Sequence, residues 1–259
     1  MPTPSRSSSA ITQKEIETGL RNLGLGKGAA VEVHSSLSSF GNVARGASSV
    51  IQALINVVGP DGTIVMSTYP VSPAIPLTAE EQARGITWKV RLLDPDSDGR
   101  TGMGTIADEF RNWTDVVCGT GFYRTCAWGR SADLHTEGYQ HLLKADGWAL
   151  LIGIDMHRCS SMHVAESPVV IPEKIRDIFR VPDAIQQDYP DDVWGIGYGE
   201  TPNDAWQTVW DEAKRRDLVK TGRIGNSNCN LFKAKEMVSI YEEMLRTDPF
   251  GLFGVTENS

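Results

Sequence analysis

Residues 29–66 constrain the fold more than any other part of this 259-residue sequence. Residues 29–33 predict a short strand, and residues 47–58 predict a helix with one apolar stripe. Residues 59–62 read Gly-Pro-Asp-Gly, a strong turn signal, and residues 63–66 predict a second buried strand. A strand, a helix and a strand in this order form a βαβ unit, in which the strands are parallel and the crossover is right-handed. The sequence therefore predicts an α/β fold with a largely parallel central sheet flanked by helices.

The stretch from 150 to 166, LLIGIDMHRCSSMHVAE, carries the clearest candidate chemistry. Its initial apolar run predicts a buried strand, and a polar turn follows. A helix is predicted next, with Ser160 or Ser161 as the N-cap, because a hydroxyl there can accept from the free amides of the first turn. His163 and Glu166 are three residues apart and share one face of that helix. An imidazole and a carboxylate at a strand end favour catalysis. The alternative is a pair on a partly solvated helix face.

The other elements are predicted from caps, apolar spacing and turn residues. Thr12 followed by Glu15 is a capping box, and the helix that it starts is expected to end at Gly26. Residues 69–102 are irregular, and loops of this length in compact domains are usually functional or disordered. Further helices are predicted over 104–112, 135–144, 201–218 and 231–245, and strands over 116–126, 169–179 and 193–198. The last two strands are candidates for antiparallel additions. We expect one domain over residues 11–259 after a disordered tail over residues 1–10.

Composition and charge narrow the class of ligand. Hydrophobic residues make up 40% of the chain and charged residues 22%, which is enough apolar material for a substantial core. A net charge of −8 argues against a nucleic-acid partner and permits a cationic ligand. The chain lacks an apolar run of membrane-spanning length, and its N-terminus does not resemble a signal peptide. We therefore expect a cytoplasmic protein without a membrane partner. A homodimer is compatible with these patterns, which do not fix the oligomeric state.

The four cysteines give little support to a metal or redox site. Cys118, Cys126, Cys159 and Cys229 are widely spaced and form no Cys-x-x-Cys pair. In a cytoplasmic protein they are most simply buried or surface thiols. We therefore expect no metal and no covalent role for Cys159, although its place in the central stretch makes it the cysteine to test.

Two further turns carry small residues where a ligand could approach. Residues 34–37 read His-Ser-Ser-Leu after the first strand, and their hydroxyls and amides could contact a phosphate or a carbonyl. Residues 101–105 read Thr-Gly-Met-Gly-Thr before a helix, where exposed amides could bind an anionic cofactor. The alternatives are an ordinary strand-to-loop turn and a helix cap. A phosphate-binding P-loop, a dinucleotide-binding motif and a Gly-x-Ser-x-Gly elbow are absent from the sequence.

Together these segments resemble the aminoglycoside 3-N-acetyltransferase family, which uses acetyl-coenzyme A outside the GNAT fold. The resemblance rests on residues 33–68, VHSSLSSFGNVARGASSVIQALINVVGPDGTIVMST; on residues 101–111, TGMGTIADEFR; and on residues 150–166. Residues 223–238 match more weakly. The resemblance implies an α/β fold and direct transfer of an acetyl group to the 3-amino group of an aminoglycoside, an activity associated with antibiotic resistance.

The resemblance also implies roles for individual residues. The family's catalytic histidine falls on His163, with Glu166 beside it, and a position that is usually threonine is Ser160. His163 is then the expected general base, Glu166 orients its ring, and His34 is the rival for the base because it also lies near the expected thioester. The family's His-Ser-Ser-Leu and Gly-Met-Gly turns supply the expected cofactor-binding residues: His34, Ser35, Ser36, Leu37, Thr101, Gly102, Met103 and Gly104.

The acceptor side departs from the family pattern. Where relatives carry a His-Pro pair and a serine, residues 123–129 read Tyr-Arg-Thr-Cys-Ala-Trp-Gly, and a Gly-x-x-Ser-Pro segment is not recognisable in residues 136–147. Two alternatives therefore stay open: a transferase of the same fold that acts on another small amine, and a coenzyme A-binding protein without transferase activity. Acidic residues of the irregular segment 69–102 could bind a small cationic amine. The alternative is that they are solvated loop charges. These residues are Glu80, Glu81, Asp94, Asp96 and Asp98.

Overall fold

The predicted βαβ unit forms the centre of the fold. In the computed structural model, which describes residues 10–95, 97 and 99–257, β1 (Ala30–Ser35) and β2 (Thr63–Ser67) pair in parallel. The helix Ala47–Val58 connects them, with the bounds that its apolar stripe predicts. Gly62 lets the turn close against the sheet, because a Cβ there would lie 2.9 Å from the Ala29 carbonyl oxygen.

The central sheet is mixed rather than largely parallel. Seven of the described strands follow the order β4-β5-β2-β1-β6-β9-β8. The two parallel pairs among them are β1 with β2 and β1 with β6, and the other neighbouring pairs are antiparallel. The antiparallel additions lie at both edges, because short turns join β4 to β5 and β8 to β9. The α/β class is confirmed, and antiparallel strands near the C-terminus do extend the sheet, but they are β8 and β9 rather than the predicted strands over 169–179 and 193–198. The strands are β3 (Ile86–Arg91), β4 (Val116–Cys118), β5 (Thr125–Gly129), β6 (Trp148–Ile152), β7 (Trp194–Tyr198), β8 (Lys220–Ile224) and β9 (Ser227–Lys233).

Helices cover both faces of this sheet. Along β1, Val31 and Val33 face one core while Glu32 and His34 face the other side, as the alternation of a strand requires. The described helices are α1 (Gln13–Leu23), α2 (Ala47–Val58), α3 (Ala79–Ala83), α4 (Thr105–Phe110), α5 (Gln140–Lys144), α6 (Glu173–Ile178), α7 (Asp183–Asp188), α8 (Ala205–Arg215), α9 (Ala234–Thr247) and α10 (Pro249–Phe253). Short 3₁₀ helices span Leu37–Phe40, Ala132–His135, Met156–Arg158 and Ser160–Glu166. None of the described helices is long and apolar enough to span a membrane.

Several predicted bounds were wrong for local reasons. Within the strand predicted over 169–179, residues 173–178 form α6 instead, and Pro172, with a φ of −51° close to the helical value, acts as the N-cap. The helix expected from Thr201 begins at Ala205, because the Asp204 side chain caps it by accepting from the N–H of Gln207. The capping box of α1 is confirmed, but its helix ends at Gly24 (φ +107°). Gly138 (φ +98°) divides the helix expected over 135–144 into two shorter helices. The last helix was expected to begin at Leu231, but Leu231 belongs to β9 and the helix begins at Ala234.

The irregular excursion contains structure that its composition conceals. Within residues 69–102, α3 and β3 form, and β3 pairs antiparallel with β7 in a separate two-stranded ribbon. This ribbon confirms the strand predicted over 193–198 and places it outside the central sheet. Residues 1–9 of the predicted tail lie outside the described residues, as do Asp96 and Asp98.

The expectation of four free thiols was wrong for one pair. Cys118 and Cys126 form a disulfide across the antiparallel strands β4 and β5, where they are direct register partners. Cys159 and Cys229 are free and buried. The eight-residue separation gave no recognisable motif, since only the pairing of two strands brings these residues together.

Candidate active site

The two predicted catalytic segments meet at one end of the sheet. Strands β1 and β6 are parallel neighbours, so the turns that follow them leave the sheet at the same edge. The N–H of Ser36 donates to the carbonyl of Ile152 over 2.9 Å and fixes the two turns together. Beside them opens a cleft of about 1030 Å³, which is large enough for a sizeable ligand.

Most of the predicted site residues line this cleft. Thr101 and Glu166 are the exceptions and lie behind the wall. Thr101 is buried and donates its hydroxyl to Asp108 over 2.6 Å, so it shapes the turn rather than facing a ligand. The predicted residues in the lining are His34, Ser35, Ser36, Leu37, Gly102, Met103, Gly104 and His163.

His163 reaches the cleft as an oriented and exposed imidazole. Its Nδ1 lies 3.1 Å from Oε2 of Glu166, and 61% of its side chain is exposed. The other carboxylate oxygen, Oε1, accepts from the Tyr241 hydroxyl over 3.1 Å. The ring also packs against Trp206, at 5.0 Å between centroids. Within the described residues Nε2 has no hydrogen-bond partner, so this nitrogen is available to a substrate proton.

The helix that carries this pair is not the predicted one. Residues Ser160–Glu166 form a 3₁₀ helix, whose N-cap is Cys159 without a side-chain hydrogen bond. The predicted cap role of Ser160 and Ser161 was therefore wrong, because their hydroxyls are engaged elsewhere. Ser161 donates to Glu32 over 2.7 Å, and Ser160 accepts from Ser67 over 3.1 Å.

His34 occupies a more enclosed position than His163. Its side chain is 8% exposed, and its Nε2 accepts from the N–H of Ser160 over 3.3 Å. That contact favours the tautomer with the proton on Nδ1. Nε2 also lies 3.5 Å from Oε1 of Glu32. His34 is thus held by the backbone N–H of Ser160, on the wall of the cleft.

Glu32 is a buried carboxylate beside the candidate site that sequence reasoning missed. It is fully buried, and its Oε1 accepts from Ser161 and, over 3.0 Å, from the Cys159 thiol. Its Oε2 has no partner among the described residues. A carboxylate at an inward position of an otherwise apolar strand was the available signal. Glu32, His34 and Cys159 bring donor atoms within 4.8 Å of one another, although the hydroxyl and the thiol already occupy Oε1.

Cys159 is unsuited to act as a nucleophile. Burial and the neighbouring Glu32 carboxylate raise the pKa of its thiol well above the ordinary value. Because the thiolate is the reactive form, a buried thiol that stays protonated is inert. Cys159 does not belong to the described lining of the cleft.

A hydroxyl network supports the wall between the two histidines. Ser67, at the end of β2, lines the cleft and lies 2.7 Å from the hydroxyl of Tyr139, whose ring centroid is 6.2 Å from that of His34. Burial and the Glu32 carboxylate raise the pKa of Tyr139 well above its ordinary value, so the phenol stays neutral. Sequence reasoning missed both residues, because they lie on elements remote from the histidines in the chain.

The Gly-Met-Gly turn closes against the first strand. Gly104 has a φ of +94°, and a Cβ there would lie 3.6 Å from the Ser35 carbonyl oxygen. Gly102 is packed more tightly, since its Cβ would lie 2.7 Å from the Ser72 carbonyl oxygen. The two turns predicted to bind cofactor are therefore adjacent, with backbone rather than side chains at their junction.

Two arginines add positive charge to the lining. Arg100 donates to the Thr105 hydroxyl over 3.2 Å, and Arg158 extends from the 3₁₀ helix Met156–Arg158. His157 also lines the cleft and pairs with Asp204, with 3.0 Å between Nε2 and Oδ2. Sequence reasoning singled out none of these three, because isolated basic residues in loops carry no pattern.

The acidic residues expected to receive an amine do not reach the described lining of the cleft. Glu81 is buried, pairs with Lys89 and accepts from the Tyr189 hydroxyl over 2.5 Å. It therefore joins α3 to the ribbon instead of binding an acceptor. Glu80 is exposed on α3, outside the lining, and Asp94 is also outside it. Asp96 and Asp98 lie outside the described residues.

Comparison with known proteins decides the family. Residues 33–246 match the family model described as aminoglycoside 3-N-acetyltransferase. The chain belongs to the aminoglycoside 3-N-acetyltransferase family. A relative from Bacillus subtilis (strain 168), the SPbeta prophage-derived aminoglycoside N(3')-acetyltransferase-like protein YokD, is 30% identical, over 90% of this chain and 91% of that protein.

Solved structures of the aminoglycoside acetyltransferases share the fold. An AAC(3)-IVa mutant in complex with apramycin has a TM-score of 0.70 and 20% identity, covering 93% of this chain and 95% of that one. AAC-IIIb in a binary complex with CoASH has a TM-score of 0.66 and 20% identity, covering 92% and 97%. The predicted family and the single α/β domain are thereby confirmed.

Proposed function

We propose that this protein is an acetyl-coenzyme A-dependent N-acetyltransferase that acetylates the 3-amino group of an aminoglycoside. The observation that carries the proposal is His163, an exposed imidazole on the cleft wall with Nδ1 held by Glu166. A protein that only binds coenzyme A has no need of such a pair. The relatives named for aminoglycoside acetylation, and the homologous fold that binds CoASH, support the same activity.

His163 supplies the proton transfer in this proposal. An amine is largely ammonium at neutral pH and must lose a proton to attack. Nε2 of His163 accepts the proton as the amine nitrogen bonds to the acetyl carbonyl carbon, a contribution of about 10²–10⁴-fold. The carbon–sulfur bond then breaks, and the coenzyme A thiolate leaves and takes up a proton. Glu166 holds the ring and stabilises the imidazolium, so the transfer requires no covalent enzyme intermediate.

The two adjacent turns supply the cofactor site. Residues 34–37 and 102–104 line the cleft, where the hydroxyls of Ser35 and Ser36 can donate to the oxyanion that forms on the thioester. The amides of Ser36, Gly102 and Met103 instead fix the turns, because they donate to Ile152, Val71 and Thr101. Arg100 and Arg158 offer positive charge to the cofactor's phosphates. His34, fixed by the N–H of Ser160, is part of this wall and is the rival base.

The transfer is tested by release of free thiol from acetyl-coenzyme A against a panel of aminoglycosides and simple amines. We expect turnover that depends on both substrates and a product with one added acetyl group by mass spectrometry. Coenzyme A binding by calorimetry without thiol release from any amine would instead support the binding-protein alternative.

The same proposal includes three further expectations. We expect turnover to persist after dialysis against a chelator, because the mechanism uses no metal. We expect the enzyme to act in the cytoplasm on a small cationic amine, with no nucleic-acid or membrane partner. A homodimer is the assembly to be tested by light scattering.

A further inference from the structure

The 3₁₀ helix Ser160–Glu166 is longer than its own hydrogen bonds explain. It spans seven residues, whereas 3₁₀ runs beyond three or four residues are uncommon because their hydrogen bonds have poorer geometry. Its N-cap, Cys159, makes no side-chain hydrogen bond to the first amides of the helix. Contacts from other elements must therefore favour this geometry over an α-helix.

The contacts at the start of this helix come from the inward side of β1. The Ser161 hydroxyl donates to Oε1 of Glu32 over 2.7 Å, and the Cys159 thiol donates to the same oxygen over 3.0 Å. Further along the strand, on the same side, Nε2 of His34 accepts from the N–H of Ser160 over 3.3 Å. Consecutive residues at the start of the helix are thus bound by two side chains of one strand.

The other end of the helix is held from α9. There the Tyr241 hydroxyl donates to Oε1 of Glu166 over 3.1 Å. His163 lies between these two attachments, and its described hydrogen bond is the one to Glu166 within the same helix. Apart from packing on Trp206, the direction of its imidazole therefore follows from how the helix is wound.

Helix winding has a large effect on that direction. Each residue turns by about 120° in a 3₁₀ helix and by about 100° in an α-helix. From Ser161 to His163 the difference would amount to about 40° if Ser161 kept its place. A catalytic side chain has to be held within about 10–20° of its productive direction. A change to α-helical winding would therefore turn the imidazole away from its place in the cleft.

Glu32 is a costly residue for a purely structural place in the core. Its side chain is fully buried, and Oε2 has no hydrogen-bond partner among the described residues. The donors to Oε1 are a hydroxyl and a thiol, and the thiol is neutral because burial keeps the pKa of Cys159 well above its ordinary value. An apolar side chain at this position would avoid the cost of a buried, incompletely paired carboxylate. What the carboxylate adds is its pair of hydrogen bonds to the start of the helix.

We propose that Glu32 is a positioning residue for acetyl transfer. Through Ser161 and Cys159 it holds the start of the helix in 3₁₀ winding, and this winding directs Nε2 of His163 into the cleft. The inference rests on the proposed acetyl transfer and adds to it a residue outside the described lining of the cleft. Glu32 acts on kcat through the direction of the general base.

Two substitutions at Glu32 separate its hydrogen bonds from its bulk. Glu32→Leu keeps most of the side-chain volume and removes the acceptor, so kcat is expected to fall by about 10–100-fold, the size of effect that a misplacement of about 1 Å can have. The KM for acetyl-coenzyme A should stay nearly unchanged, because backbone hydrogen bonds from Ser36 and Gly102 hold the cofactor turns. Glu32→Gln keeps a carbonyl oxygen for Ser161 and Cys159 and should retain a kcat within a few-fold of the wild type. All rates are measured as thiol release from acetyl-coenzyme A with gentamicin, apramycin and sisomicin.

Double-mutant cycles show whether Glu32 acts through the helix. Ser161→Ala removes the 2.7 Å bond from the other side and should also lower kcat, and adding it to Glu32→Leu should cost little more than Glu32→Leu alone. In the His163→Ala background, Glu32→Leu should have little further effect on the residual rate, because the group that it positions is gone. Losses that multiply in either cycle would overturn the proposal.

Thr63→Val is the matched control, because it also removes a buried hydrogen bond from a central strand. The Thr63 hydroxyl donates to the carbonyl of Arg130 over 2.6 Å at the start of β2, at the opposite end of that strand from Ser67. This variant should keep the wild-type kcat, and thermal melting shows whether each variant folds. If Glu32→Leu does not fold, Ser161→Ala replaces it, and an unchanged kcat in that variant would overturn the proposal.

The positioning role and the proposed function fail in different ways. A wild-type kcat in folded Glu32→Leu, or an equal loss in Glu32→Leu and Glu32→Gln, would overturn the positioning role and leave the proposed function standing. A wild-type protein that releases no thiol with any of the three aminoglycosides would overturn the transfer itself and this role with it.

Discussion

His163 and Glu166 show how one local geometry sets up a reactive side chain. The 3₁₀ helix that carries them has about three residues per turn, so side chains at i and i+3 eclipse each other. In an α-helix the same two residues would be offset around the axis. The tighter helix therefore places the carboxylate directly beside Nδ1 and leaves Nε2 directed elsewhere.

Removal of the imidazole should separate chemistry from binding. His163→Ala is expected to lower kcat by about two to four orders of magnitude, because the general base is lost. Coenzyme A binding should stay nearly unchanged in calorimetry, since the two adjacent turns hold the cofactor.

Three companion variants sharpen this prediction. Glu166→Gln should reduce turnover less, because the base remains but loses its orienting charge. His141→Ala, at a histidine outside the described cleft lining, should leave turnover unchanged. If His34→Ala abolishes turnover in a folded protein while His163→Ala retains it, the roles of the two histidines are reversed.

The buried Cys159 thiol should be dispensable for turnover. Cys159→Ser keeps a hydrogen-bond donor toward Glu32, and the reaction needs no covalent intermediate. Turnover is therefore expected to stay within a few-fold of the wild type. Detection of an acetylated Cys159 by mass spectrometry would demonstrate a two-step route and contradict direct transfer.

At the scale of elements, the excursion between β2 and α4 is attached by a buried ion pair. Glu81 on α3 pairs with Lys89 on β3 and accepts from Tyr189, which follows α7. Hydrogen bonds from Lys89 and Tyr189 lower the pKa of Glu81 from an ordinary 4.5 to about 2. Lys89 is also buried, so removing either side chain would leave the charge of the other buried without a counter-charge.

This pair predicts a specific acid dependence of stability. Because the pKa of Glu81 is depressed in the folded state, its contribution is present above pH 4.5 and is lost as the pH falls toward about 2. In urea titrations the wild type should be more stable than Glu81→Gln at pH 7. The difference should shrink as the pH is lowered through that window.

Glu80→Gln is the matched control, since it removes the same charge from an exposed neighbouring position on α3. It should change the urea midpoint little at any pH. A difference between the wild type and Glu81→Gln that does not vary with pH would show that the carboxylate charge is not what stabilises the excursion.

The bounds of helices were predicted well from the sequence where the apolar spacing agreed with capping and turn residues. The bounds of α2 were predicted correctly because its stripe is flanked by glycines, and the capping box located the start of α1. The β8–β9 hairpin was missed because its strands are short and polar, with little alternation of apolar residues. Likewise, no local pattern distinguishes the 3₁₀ helix Ser160–Glu166 from an α-helix, because both bring residues i and i+3 together.

The candidate site was predictable where residues act within one segment. The residues expected around His163 and in the two turns lie at the cleft, apart from Thr101 and Glu166, which lie behind its wall. Sequence reasoning missed Glu32, Ser67 and Tyr139 and the aromatic side chains of the lining, because their place at the cleft depends on long-range contacts. These aromatic residues are Tyr69, Phe122 and Tyr123. The mixed sheet was missed for the same reason: strand direction at the edges follows from turns that carry no apolar signal.

At the scale of the whole molecule, the turns at residues 34–37 and 102–104 and the aromatic side chains of Tyr69, Phe122 and Tyr123 line one cleft. A ligand that binds only the folded state stabilises it, by about 2.7 kcal/mol at a concentration 100 times its Kd. For a chain of this size, coenzyme A should then raise the Tm by about 5–10 °C. Differential scanning fluorimetry with and without the cofactor measures this shift.

Substitutions in the turns should weaken that stabilisation. Ser36→Phe and Gly104→Val fill the space beside the Ser35 carbonyl and are expected to reduce coenzyme A affinity in calorimetry by about tenfold or more. Gly28→Val is the control for backbone strain: its φ is +76°, and its Cβ would meet nothing within 4 Å. Unchanged affinity in both folded turn variants would remove these turns from the cofactor site.

The tethered aromatic connection between β4 and β5 has a consequence for how this protein can diverge. Phe122 and Tyr123 are exposed, so replacing them costs little folding free energy. Residues 34–37, which are proposed to face the cofactor, instead follow β1, whose valines lie in the core. Descendants of this sequence can therefore acquire new amine preferences by changes at a few surface positions, while the inherited acetyl-transfer chemistry stays intact at every step.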